Sequence, residues 1–164
     1  MSCKSLQLQQ QLTYAQANMI NEFRALLSEL VYLFRFYIMA SITGIGGTQD
    51  TVNELLKLPL RGNEIIRSID GDYMDFTPIT ETYIIGLKNL IDAMLYGDHE
   101  KADESIRRLY EIADQNASYL AQLNPYWDDE KWRDLFYVFN RDLVAEVMAI
   151  QSDDYIRALD IFDS

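Results

Sequence analysis

The sequence predicts an all-α fold, an antiparallel bundle of four or five helices in a single domain, and three observations carry that expectation. Only 7 glycines and 3 prolines interrupt 164 residues, which leaves long unbroken stretches. Apolar residues recur at steps of three and four, the helical period. No segment alternates with the period of two expected of strands. A chain this long can bury roughly 70% of its unfolded surface, so its 49% apolar content needs no metal or disulfide to close a core. The lone cysteine, Cys3, cannot form an intrachain disulfide in any case. Residues 1–12 read as a disordered extension and 13–164 as the bundle domain.

The first helix is expected from Thr13 to Thr43, and it holds the most apolar run of the chain, Leu26 to Ile42. Ser28, Glu29 and Arg35 interrupt that run, and an arginine in mid-helix is costly in lipid. It therefore reads as the central helix of the bundle or as half of a dimer interface, without membrane insertion. Gly44, Gly46 and Gly47 end it, because glycine accepts the left-handed conformation at a helix C-terminus. This GIGG run lacks the Lys and Ser/Thr of a phosphate loop and closes a helix instead of opening one.

Asp50 or Thr51 is expected to cap a short helix, Val52 to Leu58, that Pro59 stops. A turn or two of helix follows at Asn63–Ile69, then a turn at Asp70-Gly71-Asp72. Counted from Asp70, the position that an EF-hand loop gives to glycine holds Asp75, so calcium is not expected. Thr77 with Pro78 opens the next long helix, which runs to Tyr96 with Gly97 just beyond. Asp98 caps a helix with an apolar stripe at Ala102, Ile106, Leu109, Ala113, Ala117, Leu120 and Leu123, and Asn124-Pro125 ends it. Asp128 caps the last long helix, with Trp132, Leu135, Phe136, Phe139, Leu143 and Val147 on its apolar face. A short helix over Tyr155–Phe162 follows.

Charge and motif exclude several functions. With 14 basic and 26 acidic residues the net charge is −12, a poor match to a phosphate backbone. The N-terminus has no apolar signal core, so the cytoplasm is the expected compartment. A di-iron bundle needs two Glu-x-x-His pairs, whereas the only histidine here, His99, reads as a solvated first-turn residue. The same scarcity removes HExxH zinc chemistry and any histidine-based triad. No cofactor and no catalytic residue are expected.

What remains is polar material inside apolar helices. Asn21, Arg24, Ser28 and Arg35 share one face of the first helix, and Glu22 and Glu29 share another. Glu81, Lys88 and Asp92 align on the helix after Pro78. If buried, Arg35 must be paired, with Glu81 or Glu146 as the expected partner. Tyr126, Trp127 and Trp132 form an aromatic cluster suited to the core or to a ligand. The candidate ligand-binding set is Arg24, Glu29, Arg35, Glu81, Tyr126, Trp127 and Glu146. A rival reading places a hard cation such as magnesium or manganese among Glu22, Glu29, Glu81 and Glu146, and it requires at least three of them to converge.

Leu123-Asn124-Pro125-Tyr126-Trp127-Asp128-Asp129-Glu130-Lys131-Trp132-Arg133 resembles the NPYW connector of a family of uncharacterised helical-bundle proteins from Bacillus- and Clostridium-type Gram-positive bacteria. Some members of that family carry an acetylglutamate-kinase label. Phe23-Arg24-Ala25-Leu26 with Val31 and Arg35, and the segment from Asn53 to Leu58, are similar to further parts of it. The resemblance implies a bundle fold. Where the family has histidines, this chain has Leu30 and Thr82, so any site built on them is lost here, and no phosphate loop supports a kinase. The expected function is a non-catalytic interaction or small-ligand-binding module, a homodimer with a possible protein partner.

Overall fold

The computed structural model describes residues 14–67, 75–123 and 127–163. The expected N-terminal extension, the Asp70–Asp72 turn, the Asn124-Pro125 stop and Tyr126 lie outside the described residues. Within them the chain forms seven helices and no strand: α1 Tyr14–Thr43, α2 Thr48–Leu55, α3 Leu58–Arg67, α4 Thr77–Leu95, α5 His99–Leu123, α6 Asp129–Gln151 and α7 Tyr155–Phe162.

Most boundaries follow the punctuation of the sequence. Gly44 takes φ +67° and returns its N–H to the Ala40 carbonyl at 3.0 Å, closing α1. Gly97, at φ +70°, closes α4 in the same way. Asp98 accepts from the Lys101 N–H, Asp128 from those of Glu130 and Lys131, and Asp154 from that of Arg157. Each carboxylate satisfies a donor that the first helical turn leaves without a partner.

Three boundaries differ from expectation. α2 begins at Thr48 behind Gly47, with no side-chain cap, so neither Asp50 nor Thr51 has that role. The Thr51 hydroxyl instead donates to the Gly47 carbonyl at 2.7 Å. Pro59 does not stop α2, which ends at Leu55; it lies in the first turn of α3, where a missing N–H costs nothing. At α4 the N-cap position is Phe76, with no side-chain cap, and Asp75 just before it accepts from the Thr77 N–H at 2.9 Å. The Thr77 hydroxyl is buried without a partner.

The two hairpins are antiparallel, as short connections require. Gly86 of α4 lies against Leu109 of α5, and Phe76 pairs with Tyr119 farther along. Tyr110 of α5 packs edge-on to Tyr137 of α6. α4 and α6 consequently run the same way, joined by the Tyr83–Asn140 hydrogen bond and by Gln151 donating to the Met94 carbonyl. α1 also runs with α4, because α2 and α3 carry the chain back along it. Tyr37 meets Asp92 near the two C-termini, whereas Leu26 and Phe76 both approach Gly62 near the other end.

The central helix is α4, which packs against α1, α3, α5 and α6. It buries Tyr83, Ile84, Leu87, Leu90, Ile91 and Ala93. α1 is not the centre that its composition suggests. It buries Phe34, Tyr37, Ile38 and Ala40, but no described residue before Phe34 is fully buried. The reason is topological: α2 and α3 cover one flank, and α6 reaches α1 only through long side chains and α7. Leu135, expected on the inner face of α6, is 60% exposed for the same reason.

Candidate functional site

Three constellations emerge from this packing. In the first, the guanidinium of Arg35 on α1 lies 2.5 Å from the Glu146 carboxylate on α6. The same guanidinium reaches the Ala158 carbonyl of α7 at 3.4 Å and lies over the Phe162 ring at 4.5 Å. Arg35 is half-buried and paired, with Glu146 and not Glu81 as the partner. Burial pushes the Glu146 carboxyl up, and the nearby guanidinium reverses only part of that rise. With a carboxylate and a carbonyl both on its Nη1 and a ring beside it, Arg35 acts as a tie between three helices.

Beside this tie runs an apolar groove of about 220 Å³ between α1 and α6, closed at one end by α7. Val31 forms its α1 wall, Leu135, Val138, Phe139 and Leu143 its α6 wall, and Ile161 and Phe162 its end. Leu27, one turn before Val31 on the same face, is 52% exposed, and Val138 is 45% exposed. The helix Ala17–Thr43 is long and apolar enough to cross a membrane, yet only 28% of its most apolar window is buried.

In the third, at the opposite flank of α1, Tyr37, Lys88 and Asp92 meet. Asp92 accepts from the Tyr37 hydroxyl at 2.6 Å and from the Lys88 ammonium at 2.6 Å. Burial works against the charged lysine, but the hydrogen bond and charge of Asp92 outweigh it and raise the Lys88 pKa. Burial and Asp92 together push the Tyr37 phenol up as well. A cavity of about 400 Å³ opens here, bounded by the Gly44–Gly46 loop, the first turn of α2 and Tyr96. Sequence reasoning aligned Lys88 with Asp92 and read the Tyr32-Phe34-Phe36-Tyr37 cluster as core sooner than pocket wall, without joining Tyr37 to Asp92. Only the parallel course of α1 and α4 brings it to Asp92.

The remaining candidates do not assemble. Arg24 is exposed on α1, Glu29 pairs with Arg61 of α3 at 2.7 Å, and Glu81 is half-buried on α4. Trp127 packs on Trp132, which continues through Phe136 to the buried Tyr83 as an aromatic chain running from the half-buried surface into the core. Glu22 accepts from Asn18 in its own helix. The four carboxylates of the cation reading are therefore dispersed. Among the described residues no three His, Cys, Asp or Glu side chains cluster to hold a metal ion. No protein-family model matches the chain, and no curated protein or solved structure matches it either.

Proposed function

We propose that the protein is a binding module without catalytic activity that pairs with a second copy of itself along the α1–α6 groove. The observation that supports this reading is the uncovered apolar face of α1 beside that groove, with only 28% of the helix's most apolar window buried. An apolar face of this kind marks an interaction site more often than a free surface.

Charge favours a second copy as the occupant. Two strongly acidic chains repel each other. Over Tyr14–Thr43, however, Glu22 and Glu29 are cancelled by Arg24 and Arg35, so α1 is a neutral stripe on a molecule of net charge −12. In a two-fold dimer the exposed Leu27 ridge of each copy meets the groove of the other.

Sedimentation equilibrium over a wide concentration range tests the reading. The expected result is a reversible dimer, with Leu27→Glu and Val138→Glu each giving a monomer of unchanged helicity. A wild-type monomer throughout, or a dimer indifferent to both substitutions, would sink it. Binding of the monomer to neutral phosphatidylcholine vesicles would reassign the face to a membrane surface.

A further inference from the structure

We propose that the cavity walled by Tyr37, Lys88 and Asp92 is a binding site for a neutral polyhydroxylated ligand of monosaccharide size. The inference stands apart from self-association, because cavity and groove lie on different flanks of α1.

The first argument is shape. α1 and α4 end side by side, and the glycine loop spans the gap between them without filling it. A Cβ placed on Gly44 or Gly46 would meet no atom within 4 Å. The resulting space of about 400 Å³ adjoins a recess of about 310 Å³, and the two share Ser41, Asp92 and Tyr96. Both volumes fall in the range of small-molecule sites.

The second argument is charge. The Lys88 ammonium is neutralised by Asp92 at 2.6 Å, so the cavity offers no spare cation to an anionic ligand. Both Asp92 oxygens are occupied, Oδ1 by the Tyr37 hydroxyl and Oδ2 by Lys88, so it offers no free carboxylate to a cation either. Unused hydrogen-bonding capacity remains nonetheless. A lysine has three donors and a carboxylate about four acceptor positions. An adjacent donor and acceptor of this kind match two neighbouring hydroxyls, one accepting from Lys88 and the other donating to Asp92. Ser41, Thr48 and Gln49 extend the polar wall, and Gln151 lines the recess. Tyr37 is itself buried, so its hydrogen bond holds Asp92 in place before any ligand arrives.

The third argument is Tyr96. It lies just past α4, lines both spaces and is 86% exposed. A tyrosine combines an apolar face with a polar tip, and such a face suits the C–H side of a pyranose or cyclitol ring.

The test is an amide chemical-shift titration of the full chain with glucose, galactose, mannose, N-acetylglucosamine and myo-inositol. The expected result is saturable shifts for at least one of them, confined to residues 40–49 and 88–97. Tyr96→Ala should weaken that ligand by on the order of tenfold without moving the unfolding midpoint, and Lys88→Met should weaken it as well. Glucose 6-phosphate and glutamate serve as charged probes. Absence of saturable shifts from all five neutral compounds would overturn the proposal, as would tighter binding of either charged probe or shifts that map elsewhere.

Discussion

Arg35 and Glu146 meet at 2.5 Å across α1 and α6, one of the residue pairs that tie the N-terminal helix to the C-terminal half of the chain. Glu146 is buried, so removing its partner leaves an uncompensated charge. Arg35→Met should cost about 3 kcal/mol in urea unfolding, whereas the double change with Glu146→Leu should recover most of that loss. Equal losses in both variants would show that Arg35 contributes by packing on Phe162 and not by charge.

The same pair sets a pH dependence with a definite sign. The Glu146 pKa lies above its ordinary 4.5 because burial outweighs the attraction of Arg35. The folded state then keeps a proton that the unfolded state has already released, so this group's contribution to stability declines as pH rises. The window opens near pH 4.5 and closes above the folded pKa. Thermal melts of wild type and Glu146→Gln between pH 4 and 7 should therefore show the wild type losing ground to the variant as pH increases. A wild type that gains on the variant would mean that Arg35 dominates.

Phe34 and Phe36 separate the two sides of α1. Phe34 is fully buried and Phe36 is 56% exposed. Phe34→Ala should cost about 3–5 kcal/mol, and Phe36→Ala less than about 0.5 kcal/mol, as at other exposed positions. Chemical denaturation of the two variants at one protein concentration decides this.

Periodicity made the helices legible, and side-chain capacity made the caps Asp98 and Asp128 legible. The course of α1 was not legible. Its apolar run reads as a core helix, but burial depends on which neighbours cover it, and that is set by the α2–α3 return. Pro59 shows the same limit: a proline both ends and begins helices, and the residues around it allow either. Of the candidate site, the pairing of Arg35 was legible because a guanidinium drawn out of water, here half-buried, needs an anion. The meeting of Tyr37 with Asp92 depends on helix direction, which no local pattern encodes.

Tyr83 and Asn140 form a buried polar contact inside the core. The Tyr83 hydroxyl donates to the Asn140 Oδ1 at 2.5 Å, and the Asn140 amide nitrogen has no partner. Burial holds the Tyr83 phenol far above its ordinary pKa, so it remains a donor at any working pH. Tyr83→Phe should cost about 1–3 kcal/mol by stranding the amide oxygen, while Tyr83→Phe with Asn140→Leu should be nearly neutral. Calorimetric melts of the single and double variants measure the difference.

Gly97 isolates a backbone effect. A Cβ there would meet nothing within 4 Å, but φ is +70°. Gly97→Ala should cost about 1 kcal/mol from conformation alone, read from the urea midpoint at unchanged slope.

The return of the chain through α2 and α3 also governs the order in which the molecule is made. α4, α5 and α6 each follow the helix they pack against, so every one meets a partner as soon as it emerges from the ribosome. α1 does not. It ends at Thr43, and the start of α4 at Thr77 emerges about 2–7 s later at ordinary rates of synthesis. Throughout that interval the stripe of Phe34, Tyr37 and Ile38 has no α4 to cover it. During this interval that stripe, flanked only by α2 and α3, is open to chaperones and to neighbours on the same message.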